Sequence, residues 1–144
     1  MRHAISTEDR EFLRRFTACE VDVTAFHHRE HVELAYTLLV LFGLQGAVDR
    51  MRQLLHAFIR HHGIDVAKYH ETITAAWLRG VLHFMEHSNP RTSAASFIDA
   101  NPILLRPGIM LSHYSRELLF SERARKEFVE PDLEPIPLRA AMTA

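Results

Sequence analysis

The stretch His28-Arg29-Glu30-His31-Val32-Glu33-Leu34-Ala35-Tyr36-Thr37-Leu38-Leu39-Val40-Leu41-Phe42-Gly43 decides how this chain is read. From Val32 onward it leaves almost no polar face, and no proline or glycine interrupts it before Gly43. A helix that is apolar all round is a central, buried one. The stretch therefore predicts a core helix over residues 28–42, stopped by Gly43. The two histidines at its start are expected at the rim of that core.

Working outward, five glycines and six prolines punctuate the chain and few β-type alternations occur, so the reading is all-α. A helix is predicted over residues 7–19, with Ser6 as N-cap, Glu8 and Asp9 in the first turn, and Phe12, Leu13, Phe16 and Cys19 as its apolar stripe. Beyond Gly43, residues 45–62 form a third helix that Gly63 stops; Val48, Met51, Leu54, Leu55, Phe58 and Ile59 face the core, and Arg52 is read as part of its wet side. A fourth helix runs over residues 69–87 with Trp77 inside it, followed by a short one over residues 93–100. The last helical region, residues 109–127, contains two local starts, Ser115-Arg116-Glu117 and Ser121-Glu122-Arg123, each a serine before an acidic first turn. The tail from Phe128 to Leu138 is proline-spaced and extended, and is expected to lie along the surface. The expectation is one domain over residues 1–144, a bundle of about five to six helices, with residues 1–5 and 139–144 frayed.

Composition narrows the functional classes. The net charge is -1, with 17 Lys+Arg against 18 Asp+Glu, so nothing in it favours nucleic acid or an anionic membrane as a partner. The N-terminus has no apolar signal core, and the run Leu38 to Leu44 is far below spanning length. Cys19 is the single cysteine, which makes a reducing cytoplasm the simplest setting. Homo-oligomerisation stays open. The outlier is histidine, 11 of 144 residues, which weights the chain towards a site and towards charge that changes near pH 6.

Two segments read as parts of one metal site. In the first, His28 and His31 stand i,i+3 on one helix face. In the second, Tyr69-His70-Glu71-Thr72-Ile73-Thr74, a third imidazole opens the next long helix. Three histidines with open coordination positions are what catalytic metal chemistry uses, so His28, His31 and His70 are the candidate ligands of one divalent ion (zinc, iron, nickel or copper). Glu71 is then the candidate base or fourth ligand, with Tyr69 beside it. Thr74 and Trp77 follow His70 at i+4 and i+7 and would orient a water or substrate and form an apolar floor. Tyr114, Arg106 and Arg116 are candidates for holding a small-molecule substrate through a hydroxyl and through a carboxylate or phosphate. Against each stands a structural reading: histidines that cap helices or bond backbone groups, a solvated carboxylate, core packing for Thr74 and Trp77, and surface pairing for the arginines.

Other site types lack their patterns. Neither Glu-x-x-His nor His-Glu-x-x-His occurs, nor an adjacent His-Asp pair, nor a Gly-rich phosphate loop, nor Gly-x-Ser-x-Gly. One cysteine cannot build a thiolate site.

Three motifs carry a resemblance. They are Phe26-x-His28-x-x-His31; Lys68-Tyr69-His70-Glu71-Thr72-x-Thr74-x-x-Trp77; and Tyr114-Ser115-x-Glu117-x-Leu119-Phe120-Ser121-x-x-Ala124-Arg125-x-x-Phe128-Val129-Glu130-Pro131-Asp132-Leu133-x-Pro135. Together they resemble a family of small uncharacterised bacterial helical proteins, over about residues 11–137. The resemblance implies that the three motifs belong to one site or one fold unit. At the level of fold alone, the chain is also similar to helical bundles of the damage-inducible type, which hold a three-histidine zinc or nickel site. There the histidines come late in the chain; here they come in the second helix. The functional expectation is a mononuclear metal-dependent enzyme acting on a small molecule. The alternative is a non-catalytic interaction or regulatory domain whose histidines are structural or pH-responsive.

Overall fold

A computed structural model of the chain describes residues 2–136. Its helices are α1 (Thr7–Thr17), α2 (His28–His61), α3 (Glu71–Glu86), α4 (Ala94–Ala100), α5 (Arg116–Leu119) and α6 (Glu122–Lys126). Single 3-10 turns link them at Val23–Ala25 and Val66–Lys68, and two more, Pro102–Leu105 and Pro107–Ser112, lead into α5. The described residues contain no strand. The fold is all-α.

The caps follow local chemistry. Ser6 and Asp9 form a reciprocal capping box, with both hydrogen bonds at 3.0 Å. The same Asp9 carboxylate accepts the Ala94 N–H at 2.9 Å, so one side chain ties the starts of α1 and α4 together. Ser115 and Ser121 cap α5 and α6, each accepting a backbone N–H at 3.1 Å. The region ahead of Ser115, expected as the start of the last helical region, is a 3-10 helix over Pro107–Ser112. Helix α1 ends two residues before the expected Cys19, which adopts a left-handed φ of 59° and turns the chain.

Gly43 separates two helical segments, residues 28–42 and 44–61, as expected. At φ 71° and ψ -177° it stands in a region open essentially to glycine alone, and helical segments continue on both sides within α2. Gly43→Ala adds no contact, because nothing lies within 4 Å of the new Cβ, so backbone strain is the whole effect. The expected loss is about 1–2 kcal/mol, read from the urea midpoint.

The centre is the first half of α2, where Val32, Leu34, Ala35, Tyr36, Leu38 and Leu39 are buried. Helix α2 packs most extensively on α3, then on α1, then on α4. In length and apolarity it resembles a bilayer-spanning helix, but Gly43 breaks it and 44% of its most apolar stretch is buried within the fold.

Both ends of the described chain are fastened. His3 and Ala4, expected to fray, are instead held. The His3 ring donates to the Met85 carbonyl (2.7 Å) and accepts the Arg91 N–H (3.1 Å). The buried Tyr36 hydroxyl donates to the Ala4 carbonyl at 2.7 Å. The described part of the tail, residues 128–136, is non-helical and is tied down rather than merely laid on the surface, and residues 137–138 lie outside the described residues. The Thr72 hydroxyl donates to the Glu127 carbonyl (2.8 Å) and accepts the Val129 N–H (3.1 Å). Asp132 accepts two bonds from Ser115, and Ile136 is buried. Residues 139–144, whose fraying was expected, lie outside the described residues.

Candidate functional site

The sequence candidates fall into three groups in space. His28, His31, Thr74 and Trp77 surround one small void, and His31, Tyr69, His70 and Thr74 line a larger cleft on the other side. His31 borders both. Tyr114, Arg106 and Arg116 line neither.

His28, in the first turn of α2, donates from Nε2 to the Leu104 carbonyl at 2.8 Å and stands edge-on to Trp77, ring centres 4.7 Å apart. It thereby pins the Pro102–Leu105 turn to α2. His70 precedes α3 rather than lying within it, because its extended backbone makes it the N-cap. Its Nδ1 accepts the Ile73 N–H at 3.1 Å, and its Nε2 donates to the Leu119 carbonyl at 2.7 Å. A carbonyl can only accept and an amide can only donate, so these two partners set the tautomer. Burial pushes the His70 pKa below its ordinary value, against the raising effect of its bond to Leu119.

This donor set does not fit a three-histidine metal ion. Coordination needs an imidazole lone pair, and the only one His70 has is taken by the Ile73 amide. His28 uses Nε2 on a carbonyl. Among the described residues no group of three or more His, Cys, Asp and Glu side chains is arranged to hold a metal. The void beside His28 and His31 measures about 10 Å³, room for one water at most.

His31 differs from both. It is half-buried, part of its surface is reachable from the cleft, and among the described residues no hydrogen bond reaches its ring. Burial, followed by the neighbouring His28, pushes its pKa down to about 4. It is a neutral imidazole at physiological pH.

Glu71, the candidate base, is held from three directions. Arg52 meets it with two bonds, at 3.0 and 2.7 Å, and the Tyr69 hydroxyl donates to it at 2.6 Å. Burial raises its pKa, but the bonds from Arg52 and Tyr69 outweigh burial and hold the carboxyl below its usual value. A carboxylate so stabilised is a weak base. Burial, reinforced by the bond to Glu71, pushes the Tyr69 hydroxyl up, which removes it as an acid near neutrality. Arg52, read from the sequence as a solvent-facing residue of the third helix, is the partner that sequence reasoning missed. It is 19 residues from Glu71, and no local spacing connects them. His56 packs on the Tyr69 ring, centres 4.4 Å apart. A depression of about 460 Å³ opens beside these groups, with Arg125 and Lys126 on its far side.

Tyr114 is fully buried, and its hydroxyl donates to the Val129 carbonyl at 2.6 Å, so it holds the tail and has no hydrogen left for a substrate. Arg106 and Arg116 are exposed on the surface. Thr74 donates to the His70 carbonyl at 2.8 Å, a local helix-start bond.

No family model, curated protein or solved structure matches this chain.

Proposed function

We propose that this chain is a non-catalytic helical domain whose histidines act as structural latches and make its stability respond to pH. One observation carries the reading: imidazoles bond the backbone carbonyls of segments distant in the chain. His28 reaches Leu104, His70 reaches Leu119, His3 reaches Met85, His62 reaches Val21 and His113 reaches Glu134. In each pair a ring N–H satisfies a carbonyl that no helix ladder covers, and the short segments after α4 gain a fixed position without a sheet or a disulfide. His3 and His70 go further, because each also accepts a backbone N–H through Nδ1. Protonation of His70 removes its acceptor and sets two N–H groups against each other, and burial, which lowers its pKa, makes this a latch that opens in acid.

The competing reading is a mononuclear metal enzyme on His28, His31 and His70. It requires His70 to give up the cap of α3 before it can coordinate.

Metal analysis of the purified protein separates the two. The latch reading expects less than a tenth of an equivalent of zinc, iron, nickel or copper, and a melting temperature unmoved by a strong chelator. A stoichiometric ion that is lost on His28→Ala plus His70→Ala would overturn it. A stability that does not change between pH 7 and pH 4.5 would count equally against it.

A further inference from the structure

The cleft on the outer side of His31 has features that latching does not use. It holds about 370 Å³, at the small end of the range of roughly 300–1,000 Å³ that ligand sites occupy. Its walls come from α2, from the Val66–Lys68 turn and from the start of α3. Leu55, Phe58 and Ile59 form the buried part of that wall, and Phe26, Ile64 and Ile73 are apolar residues left only half covered. Of the residues lining it, only Lys68 carries a full charge at neutral pH, and Lys68 is exposed.

The polar groups in the cleft are almost all engaged. Both nitrogens of His70 are bonded, the Tyr69 hydroxyl is on Glu71, and the Thr74 hydroxyl hydrogen is on His70. The His31 imidazole is the exception: it is half-buried, borders the cleft, and has no hydrogen-bond partner among the described residues. Its ring nitrogens are not among the buried unpaired atoms of the described residues, so an incoming polar group would replace water on a ring that no protein group holds.

We propose that this cleft binds a small, largely apolar molecule carrying one uncharged hydrogen-bonding group, a hydroxyl or a carbonyl, which His31 receives at the inner end. The volume, about 370 Å³, is that of a small-molecule site rather than of a docking groove for another protein. An uncharged group matches the site because His31 is itself neutral and the apolar wall around it would leave a charge unsolvated. The ring can accept from a hydroxyl through its bare nitrogen or donate to a carbonyl through its N–H. The inference stands independently of the latch reading, since His31 is not one of the latches.

The probe pair is 2-naphthol and naphthalene, which share an apolar body and differ by the hydroxyl. Titrated into the native chain and followed by methyl and histidine-ring NMR, 2-naphthol is expected to saturate one site. Shifts should concentrate at Leu55, Ile64, Ile73 and the His31 ring. Naphthalene is expected to bind the same site roughly three- to tenfold more weakly, the worth of one hydrogen bond. His31→Leu should erase the difference between the two probes while keeping the apolar binding. Ile73→Phe, which fills the cleft from a half-covered position, should abolish both, and its far-UV spectrum shows whether it has folded. The proposal is overturned if 2-naphthol gives no saturable shifts, if the shifts lie away from the cleft, or if folded Ile73→Phe binds both probes as the native chain does. It is also overturned if His31→Leu keeps the preference for 2-naphthol.

Discussion

Lowering the pH from 7 to 4.5 is expected to remove about 2–3 kcal/mol of folding stability through His31 alone. In the folded chain its pKa lies at about 4, against an ordinary value of 6.5. Above pH 6.5 the ring is neutral in both states and contributes no pH dependence. Below it the unfolded chain takes up a proton that the folded chain refuses, because a charged ring would sit desolvated beside His28. Stability therefore falls as the pH drops from 6.5, and the loss is complete below about 4, where it amounts to about 3 kcal/mol. His70 adds a contribution of the same sign, since its pKa is lowered too. Comparing the native chain with His31→Leu isolates the His31 share. Urea unfolding of each at pH 7 and pH 4.5 should show the variant losing less stability than the native chain by that amount. Parallel pH profiles for the two would show that His31 is not desolvated as described.

The second large effect is expected at His70. His70→Ala removes the acceptor for the Ile73 N–H and the donor for the Leu119 carbonyl, and Leu119 is a buried residue. Loss of an N-cap costs about 0.5–2 kcal/mol, and an orphaned buried acceptor about 1–3. Together the loss should reach about 2–4 kcal/mol, or roughly 10 °C in melting temperature for a chain of this size. His70→Asn divides the two terms. Asparagine is a good N-cap but too short to reach Leu119, so it should recover about half of the loss. If alanine and asparagine behave alike, the cap contributes nothing. If alanine is tolerated without loss at pH 7, His70 is not a latch.

The parts of the fold that were legible in the sequence are those set by neighbours in the chain. Ser6, Ser115 and Ser121 cap helices because a serine oxygen reaches an amide three residues on, whatever the rest of the protein does. The apolar stretch after His31 had to be a core helix, because no polar face remained to meet water. Gly43 was legible as the break between two helical segments, because glycine alone adopts its backbone conformation readily. Cys19 was misread as the end of a stripe, because its left-handed turn arises only where α1 must give way to the link towards α2.

The site was legible as a list of residues and not as chemistry. His28, His31, His70, Tyr69, Thr74 and Trp77 do gather around the start of α2 and the start of α3, as their positions at neighbouring helix starts implied. Their roles turn on where each ring nitrogen and hydroxyl hydrogen goes. Those partners are the carbonyls of Leu104 and Leu119 and the guanidinium of Arg52, none of them within a helical turn in sequence. Tyr114 shows the same limit: its hydroxyl looked free for a substrate until the tail folded back over it and brought the Val129 carbonyl within 2.6 Å.

By itself, then, the sequence determined an all-α chain, its capped helix starts and its central apolar helix. Those follow from periodicity and from bonds that span three or four residues. Only the tertiary structure decided that His28 and His70 bind backbone rather than stand free, that Glu71 is paired with Arg52, and that His31 borders a cleft with no hydrogen-bond partner among the described residues. An imidazole offers one donor and one acceptor wherever it stands, and only the folded chain chooses which distant groups fill them.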